Sequence, residues 1–202
     1  FVKGYVQNSA VKNFLAVKSF FKKLHNYASV LKIELSKGKD FVMPDYNVFP
    51  DYKTRKEIIN ELCDRYKFIK HCFAGKSVCG RGIDVLHIGN TKNRVLYCGG
   101  FHGSEYLTIL ALLKFFEECC EAMESDKTVG GCKIGNFLSI RGLTIVPCVN
   151  PDGTEIALHG SDAAFKYKPL VEKVCTDTYK WQANARGVDI NHNFNAGWCR
   201  LK

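Results

Sequence analysis

Two near-continuous apolar segments, RVLYCGGF at 94–101 and LTIVPCVN at 143–150, most tightly constrain how this chain can fold. Strands that are apolar along their whole length are typical of a sheet that helices cover on both faces. A long helix predicted at about 104–124, apolar almost all round in its first half, would pack directly on such a sheet. Apolar spacing adds further elements, a helix at 54–66 and short strands at 68–74 and 83–89.

These alternating strands and helices predict an α/β fold with a mixed, largely parallel sheet and helices on both of its faces. Ahead of it, residues 8–35 have helix-like apolar spacing, with lysines on the other faces. Glycine and proline residues between 36 and 52 break that spacing. We therefore expect a basic helical segment and linker over 1–52, followed over 53–202 by the α/β domain.

The net charge of +9 is concentrated at one end of the chain. Residues 1–40 hold eight lysines and two acids, a net of +6, whereas the other 162 residues hold 21 basic and 18 acidic side chains, a net of +3. The aromatic residues of the basic segment fall at helical spacing and do not form a stacking surface. This pattern is typical of a solvated helix face, so we predict no nucleic-acid partner.

Membrane and export signals are not visible in the sequence. No apolar run approaches the roughly 18 residues that a membrane span needs, and no signal-peptide pattern follows Phe1. The ten cysteines form no C-x-x-C pair, which argues against a zinc ribbon or a thioredoxin-like site. Several lie in apolar segments, where a free thiol packs as a small hydrophobe. We therefore predict no membrane partner and a reducing, cytoplasmic location.

One motif, His102-Gly-Ser-Glu105, lies directly between the first apolar strand and the long helix. Functional sites in open α/β sheets form at the carboxyl ends of strands. An imidazole and a carboxylate at such a point supply two of the three ligands of a His₂Glu zinc site. A short motif of this kind also fits a helix cap beside a buried histidine, and the rival His159-Gly-Ser-Asp162 lacks the preceding strand.

Two longer motifs follow in the chain. Asn150-Pro-Asp-Gly153 ends the second apolar strand, and the run WQANARGVDINHNF occupies 181–194. The order H-x-x-E, N-P-D-G and R-G-V-D-x-N-x-N-F resembles the zinc carboxypeptidase family. The run from Trp181 is most similar to its bacterial branch of γ-D-glutamyl-diaminopimelate peptidases. The resemblance covers about residues 65–202. From its residue types alone, the N-P-D-G motif is most typical of a tight turn in the backbone.

The resemblance implies Zn²⁺ as cofactor, with His102 and Glu105 as two of its ligands. It makes Asp189 the carboxylate that orients the zinc-binding histidine, a role that fixes the tautomer and the ring orientation. Arg186 matches the arginine that stabilises the developing oxyanion. From the residues alone, Asp189 could instead cap a backbone turn, and Arg186 could be a surface salt-bridge donor.

The resemblance further implies that Asn191 begins the substrate-binding pair, but its second position is His192 where the family has arginine. Arginine grips a carboxylate with two parallel hydrogen bonds, whereas histidine offers at most one. The family's third zinc ligand, a histidine, and its catalytic glutamate lie beyond the last motif, and residues 195–202 contain neither residue type. We therefore expect these 202 residues alone to be inactive.

The predicted function is zinc-dependent hydrolysis of an amide bond in a peptide substrate. The similar branch implies bacterial cell-wall peptides. Two alternatives remain open at this point. One is an N-acyl amino acid deacylase of related fold, which also begins from H-x-x-E. The other is a non-catalytic binding module that keeps the pocket without the chemistry.

Overall fold

The computed structural model describes residues 44–194. These residues belong to one compact unit of the chain, Met43–Lys202. The basic helix predicted over 8–35 lies outside the described residues, so it stays a prediction. Across 44–194, every helix is too short or too polar to cross a bilayer.

The described residues alternate between helices and short strands, as the apolar spacing predicts. In chain order the elements are α1 (Tyr52–Arg65), β1 (Lys70–Lys76), β2 (Gly82–Ile88), β3 (Arg94–Cys98), α2 (Leu107–Glu124), β4 (Thr128–Val129), β5 (Cys132–Lys133), α3 (Ile134–Ile140), β6 (Gly142–Val146), α4 (Pro151–His159) and α5 (Lys168–Val174). Two 3₁₀ turns, Ser161–Tyr167 and Thr178–Lys180, flank α5. Strands β4 and β5 form a separate small hairpin.

The main sheet has the strand order β1-β2-β6-β3, and the prediction of a largely parallel sheet was wrong. β1 pairs with β2 and β2 pairs with β6 in antiparallel register, and only β3 and β6 run parallel. Five residues join β1 to β2, which is too few for the crossover that a parallel pair requires. The long connection through α2 allows β3 and β6 to be parallel. The fold is therefore mixed α/β.

The core lies on one face of this sheet. Leu86 pairs with Ile145 and Ile88 with Leu143, so all four side chains point to the same face. They pack with the apolar sides of α1 and α2, including Ile59, Leu62, Ile109, Leu113 and Phe116. On β3, Leu96 pairs with Thr144, which places it on the opposite face, and its side chain is 59% exposed. The predicted helix cover on both faces is therefore not seen at β3 within residues 44–194.

A second, smaller core joins α4 to the segment that carries the last motif. Its buried members are Ile156, Ala164, Val171, Trp181 and Ala185. Trp181 is almost fully buried, so it fixes the chain at the start of the WQANARGVD run. Truncating a buried tryptophan typically costs about 3–5 kcal/mol. This packing holds the run beside the end of the sheet.

Candidate metal centre

The first part of the site is the turn that follows β3. Backbone N–H groups of Val149 and Asn150 donate to the carbonyls of Gly99 and Gly100, both at 2.9 Å, so the pairing of β3 with β6 continues past the strand ends. Gly100 has φ 59°, the left-handed region that favours glycine. A Cβ at Gly100 would also meet Ile109 and the sulfur of Cys148. The chain can therefore turn sharply here and present the next residues at the sheet edge.

The Asn150 side chain ties the three sequence motifs together. Its Oδ1 accepts the N–H of Gly153 at 2.9 Å, which caps the N-terminus of α4. Its Nδ2 donates to the carbonyls of Phe101 at 2.9 Å and Ala183 at 3.1 Å. Asn150 is only 3% exposed, so solvent water cannot reach these backbone groups and substitute for its side chain. The N-P-D-G motif is thus a structural clamp.

Glycine is required at 103 because three chain segments meet there. A Cβ on Gly103 would overlap the carbonyl oxygen of Gly153 and come within 2.7 Å of the Trp181 carbonyl. Backbone hydrogen bonds across the same contact join Gly103 to Gln182 at 3.3 Å and Ser104 to Trp181 at 3.0 Å. The H-x-x-E turn is therefore built against the backbone of the other two motifs.

His102 lies between two carboxylates. Its Nδ1 is 3.2 Å from Oε1 of Glu105, and its Nε2 is 3.3 Å from Oδ1 of Asp189. Only 12% of its side chain is exposed, against 53% for Glu105. Two ligands of a tetrahedral zinc ion, each about 2.1 Å from the metal, lie about 3.4 Å apart. The His102–Glu105 pair therefore fits the zinc that the resemblance implies.

Asp189 is held by the turn that it caps. Its Oδ1 accepts the backbone N–H groups of Asn191 at 3.0 Å and His192 at 3.2 Å, and its Oδ2 lies 2.9 Å from Nδ1 of His192. Partial burial by itself would raise the pKa of Asp189, but hydrogen bonds from His192 and Asn191 outweigh it, and the net pKa is below the ordinary value. Asp189 thus caps a turn and contacts His102 at once, so the two roles weighed from sequence are compatible.

The loop before Asp189 carries Arg186 at the surface. Oδ1 of Asn184 accepts the backbone N–H groups of Arg186 at 2.9 Å and Val188 at 3.2 Å, and Gly187 has φ 75°. The Arg186 side chain is exposed, and within residues 44–194 its guanidinium makes no ion pair. The salt-bridge alternative for Arg186 thus has no partner in that range.

The contact between His192 and Asp189 was not among the contacts expected from the sequence motifs. His192 is exposed, yet its ring turns to Asp189, and its centroid lies 6.1 Å from that of His102. Asn191 is also exposed, and its backbone N–H donates to Asp189. The D-x-x-H spacing, with the histidine three residues after a turn-capping aspartate, is the one signal that could have suggested this contact.

Two further histidines, His87 and His159, have structural partners. His87 is buried, with Nδ1 2.8 Å from the Thr144 hydroxyl and Nε2 3.2 Å from the Gly89 carbonyl, and burial lowers its pKa. His159 is the last residue of α4 and lies 3.1 Å from Oδ2 of Asp51. The rival H-x-x-D motif therefore does not form a metal site.

Two acidic residues that follow β6, Asp152 and Glu155, also have other hydrogen-bond partners. Asp152 is 1% exposed and accepts hydrogen bonds from Ser77 at 2.7 Å, the Cys79 N–H at 2.8 Å and Arg81 at 2.7 Å. Glu155 accepts the N–H of Tyr52 at 2.5 Å. Both carboxylates are therefore held by partners other than His102.

The sequence of this chain is similar to those of two named peptidases. The sequence is 31% identical over 151 residues to gamma-D-glutamyl-L-diamino acid endopeptidase 1 of Lysinibacillus sphaericus, an alignment that covers 73% of this chain and 38% of that protein. It is 31% identical over 147 residues to carboxypeptidase E of Caenorhabditis elegans, covering 67% of this chain and 27% of the relative. The chain therefore spans well under half the length of these relatives.

The fold also resembles solved carboxypeptidase-related structures. Thrombin-activatable fibrinolysis inhibitor matches with a TM-score of 0.60 and 19% identity, over 80% of this chain and 38% of that one. At such low identity the likeness concerns the fold alone. The zinc carboxypeptidase family model matches residues 55–201, about three quarters of the chain. With the motifs, the fold and that match in agreement, the chain belongs to the zinc carboxypeptidase family.

Proposed function

We propose that these residues contribute to the active site of a zinc-dependent metallopeptidase, with the metal held between Nδ1 of His102 and the carboxylate of Glu105. The observation that carries this proposal is the placement of His102, with one carboxylate about 3.2 Å from each ring nitrogen. When bound, zinc would polarise a carbonyl oxygen and make a water molecule more acidic. The family is zinc-dependent by name.

Asp189 orients His102 in this proposal. A hydrogen on Nε2 donates to Oδ1 of Asp189, which leaves the lone pair of Nδ1 facing Glu105 and the metal. The pKa of Asp189 is lowered, so it remains a carboxylate at neutral pH and keeps accepting that hydrogen. The clamp formed by Asn150 and Gly103 holds the histidine turn in place, so little reorganisation is needed when the ligands meet the metal.

Arg186, Asn191 and His192 are the proposed substrate-facing residues. An exposed guanidinium without an ion-pair partner in residues 44–194 is available to stabilise the negative charge that develops on a carbonyl oxygen. Asn191 would donate to a substrate carboxylate. His192 has Nδ1 towards Asp189, so only Nε2 remains for a substrate. We therefore propose weaker dependence on a free substrate carboxylate than an arginine at 192 would give.

The proposed substrate is a peptide, and the bacterial relative suggests a γ-D-glutamyl-diamino acid bond of the cell wall. The proposal includes a cytoplasmic location and neither a nucleic-acid nor a membrane partner. All nine cysteines of residues 44–194 are free thiols, which is compatible with a reducing compartment. A non-catalytic binding role is the second candidate, because Asp152 and Glu155 are both engaged away from His102.

The test is hydrolysis of the tripeptide L-Ala-γ-D-Glu-diaminopimelate by the full-length product of the gene that encodes these residues. We expect zinc-dependent turnover that His102→Ala abolishes and that Arg186→Ala lowers about 10²–10³-fold in kcat. His159→Ala is the matched control, since that histidine also faces a carboxylate but lies away from the site. Turnover that survives both chelation and His102→Ala would refute the proposal, and tight binding without turnover would favour the non-catalytic role.

A further inference from the structure

Residues 44–51 form a strap that leads into α1 and lies outside the segment 55–201 matched by the zinc carboxypeptidase family model. Its side chains alternate between the domain and solvent. Tyr46 and Val48 pack on the main core and Pro50 is buried, whereas Asn47 and Phe49 are exposed. The strap is therefore a packed part of this domain that the family match does not include.

The strap is held at both of its ends. At one end, Nζ of Lys114 on α2 lies 5.3 Å from the centre of the Tyr46 ring. At the other end, the buried Arg55 side chain donates from Nη1 to the carbonyl of Pro50 at 3.0 Å. Asp51 then caps the first turn of α1 with its side chain. The chain between these anchors therefore has a defined path.

The strap reaches the candidate metal centre through one aromatic contact. The rings of Phe49 and Tyr106 meet edge to face, with their centroids 5.7 Å apart. Tyr106 directly follows Glu105 and is the residue from which α2 begins. Phe49 is 60% exposed, so little of its ring packs elsewhere. The contact therefore joins the strap to the residue next to a proposed zinc ligand.

The start of α2 has few other constraints. Within residues 44–194, no side chain caps this end of the helix. The Thr108 hydroxyl donates to the carbonyl of Glu105 at 2.7 Å and accepts the N–H of Gly100 at 3.0 Å, which ties the turn to the sheet. The Glu105 side chain is 53% exposed, so its direction depends on where its own backbone lies. Tyr106 packs partly on the main core, and the strap supplies a further contact to its ring.

We propose that Phe49 is a positioning residue for Glu105. Its contact with Tyr106 keeps the start of α2 in place, and so keeps the Glu105 carboxylate close to Nδ1 of His102. This inference rests on the proposed function. An edge-to-face aromatic pair contributes a free energy that corresponds to about two- to tenfold in an equilibrium constant. Loss of the ring should therefore weaken zinc binding by no more than about tenfold.

The test is competition for Zn²⁺ between a chromophoric chelator and the full-length product of the gene that encodes these residues. We expect Phe49→Ala to weaken zinc affinity about three- to tenfold, and Phe49→Tyr, which keeps the ring, to retain it. Phe137→Ala is the matched control, since Phe137 is an exposed aromatic residue on α3, and it should leave affinity unchanged. Thermal melts check folding. If Phe49→Ala is unfolded, Phe49→Leu, which keeps apolar bulk without the ring, replaces it.

A double-mutant cycle with Glu105→Gln separates positioning from general stabilisation. If Phe49 acts through Glu105, Phe49→Ala should cause no further loss of zinc affinity once the carboxylate has been removed. Equal weakening in both backgrounds would mean that the strap stabilises the whole site, and would overturn the positioning role. Wild-type affinity in Phe49→Ala would overturn it as well. Zinc affinity that is insensitive to His102→Ala and Glu105→Gln would instead refute the proposed function, and the inference with it.

Discussion

Replacing Asn150 by alanine tests whether the N-P-D-G motif clamps the site. The change leaves three backbone groups without their side-chain partner, the N–H of Gly153 and the carbonyls of Phe101 and Ala183. Loss of the helix cap costs about 0.5–2 kcal/mol, and each buried carbonyl left unpaired costs about 1–3 kcal/mol. Allowing for partial relaxation of the loops, we expect about 3–5 kcal/mol of lost unfolding free energy.

A second variant separates the cap from the clamp. Asn150→Asp keeps an oxygen for the Gly153 N–H but removes the Nδ2 donor and brings a carboxylate against the two carbonyls. We expect it to be destabilised at least as much as Asn150→Ala. Urea unfolding followed by circular dichroism measures both, with Asn60→Ala as the control for an exposed asparagine in a helix. Wild-type stability of Asn150→Asp would show that only the cap matters and would refute the clamp.

Four further predictions address packing, charge, association and activity. Gly103→Ala should destabilise the fold by about 2 kcal/mol or more, measured by urea unfolding, because its Cβ would overlap the Gly153 carbonyl. Burial tends to raise the pKa of Asp51, but hydrogen bonds from Thr54 and His159 lower it overall, so its stabilisation is present above about pH 4 and is lost as the pH falls through its folded value. Thermal melts should therefore show a smaller acid-induced loss in Asp51→Asn, and an unchanged profile would contradict this. Leu96→Lys should reduce self-association in sedimentation experiments, since β3 pairs on one side only within residues 44–194 and Leu96 is 59% exposed. The 202-residue chain saturated with zinc should not hydrolyse peptides or N-acyl amino acids, because Asp152 and Glu155 are engaged with other partners and cannot readily serve as the base. Turnover that is lost in His102→Ala would contradict this.

Local patterns in the sequence were sufficient to locate the elements and the family. The apolar segments at 94–101 and 143–150 overlap β3 and β6, and the helical spacing at 54–66 and 104–124 coincides with α1 and α2 to within a few residues. These signals depend on which side chains face the core. The spacing of apolar residues along a short segment is enough to indicate this. The order of the three motifs indicated the zinc carboxypeptidase family for a similar reason, since each motif keeps its own short-range spacing.

Strand direction was not predictable in the same way. An apolar strand looks alike whether its neighbour runs parallel or antiparallel, because burial on both faces removes the alternation that would distinguish them. The mixed sheet arises because β6 lies between β2 and β3, although 43 residues (99–141) separate β3 from β6 in the chain. That placement is decided by packing between distant segments. The domain boundary near residue 52 and the basic helix before it stay predictions.

The site shows the same division between local and distant information. His102 and Glu105 share one turn, and their closeness follows from the H-x-x-E spacing. The contact of His102 with Asp189 joins residues 87 positions apart, and only the family resemblance suggested it. The turn of His192 towards Asp189 was missed because the resemblance places an arginine at 192, and a guanidinium and an imidazole reach different distances from the backbone.

Most of the residues that position the site would take no direct part in its chemistry. Asn150 and Gly103 contact backbone atoms of the surrounding loops, and these contacts determine where the His102 turn lies relative to the 181–189 run. The proposed zinc site uses His102 as a ligand and Asp189 as the support that orients it. A loosened clamp should therefore weaken metal binding, because the ligand atoms would have to be ordered at the cost of binding free energy. Metal affinity should consequently fall in the same order as unfolding free energy across the Asn150 and Gly103 variants, while Glu105→Gln should weaken affinity with little change in stability. If Asn150→Ala kept full metal affinity despite lower stability, the histidine turn would be ordered independently of the clamp.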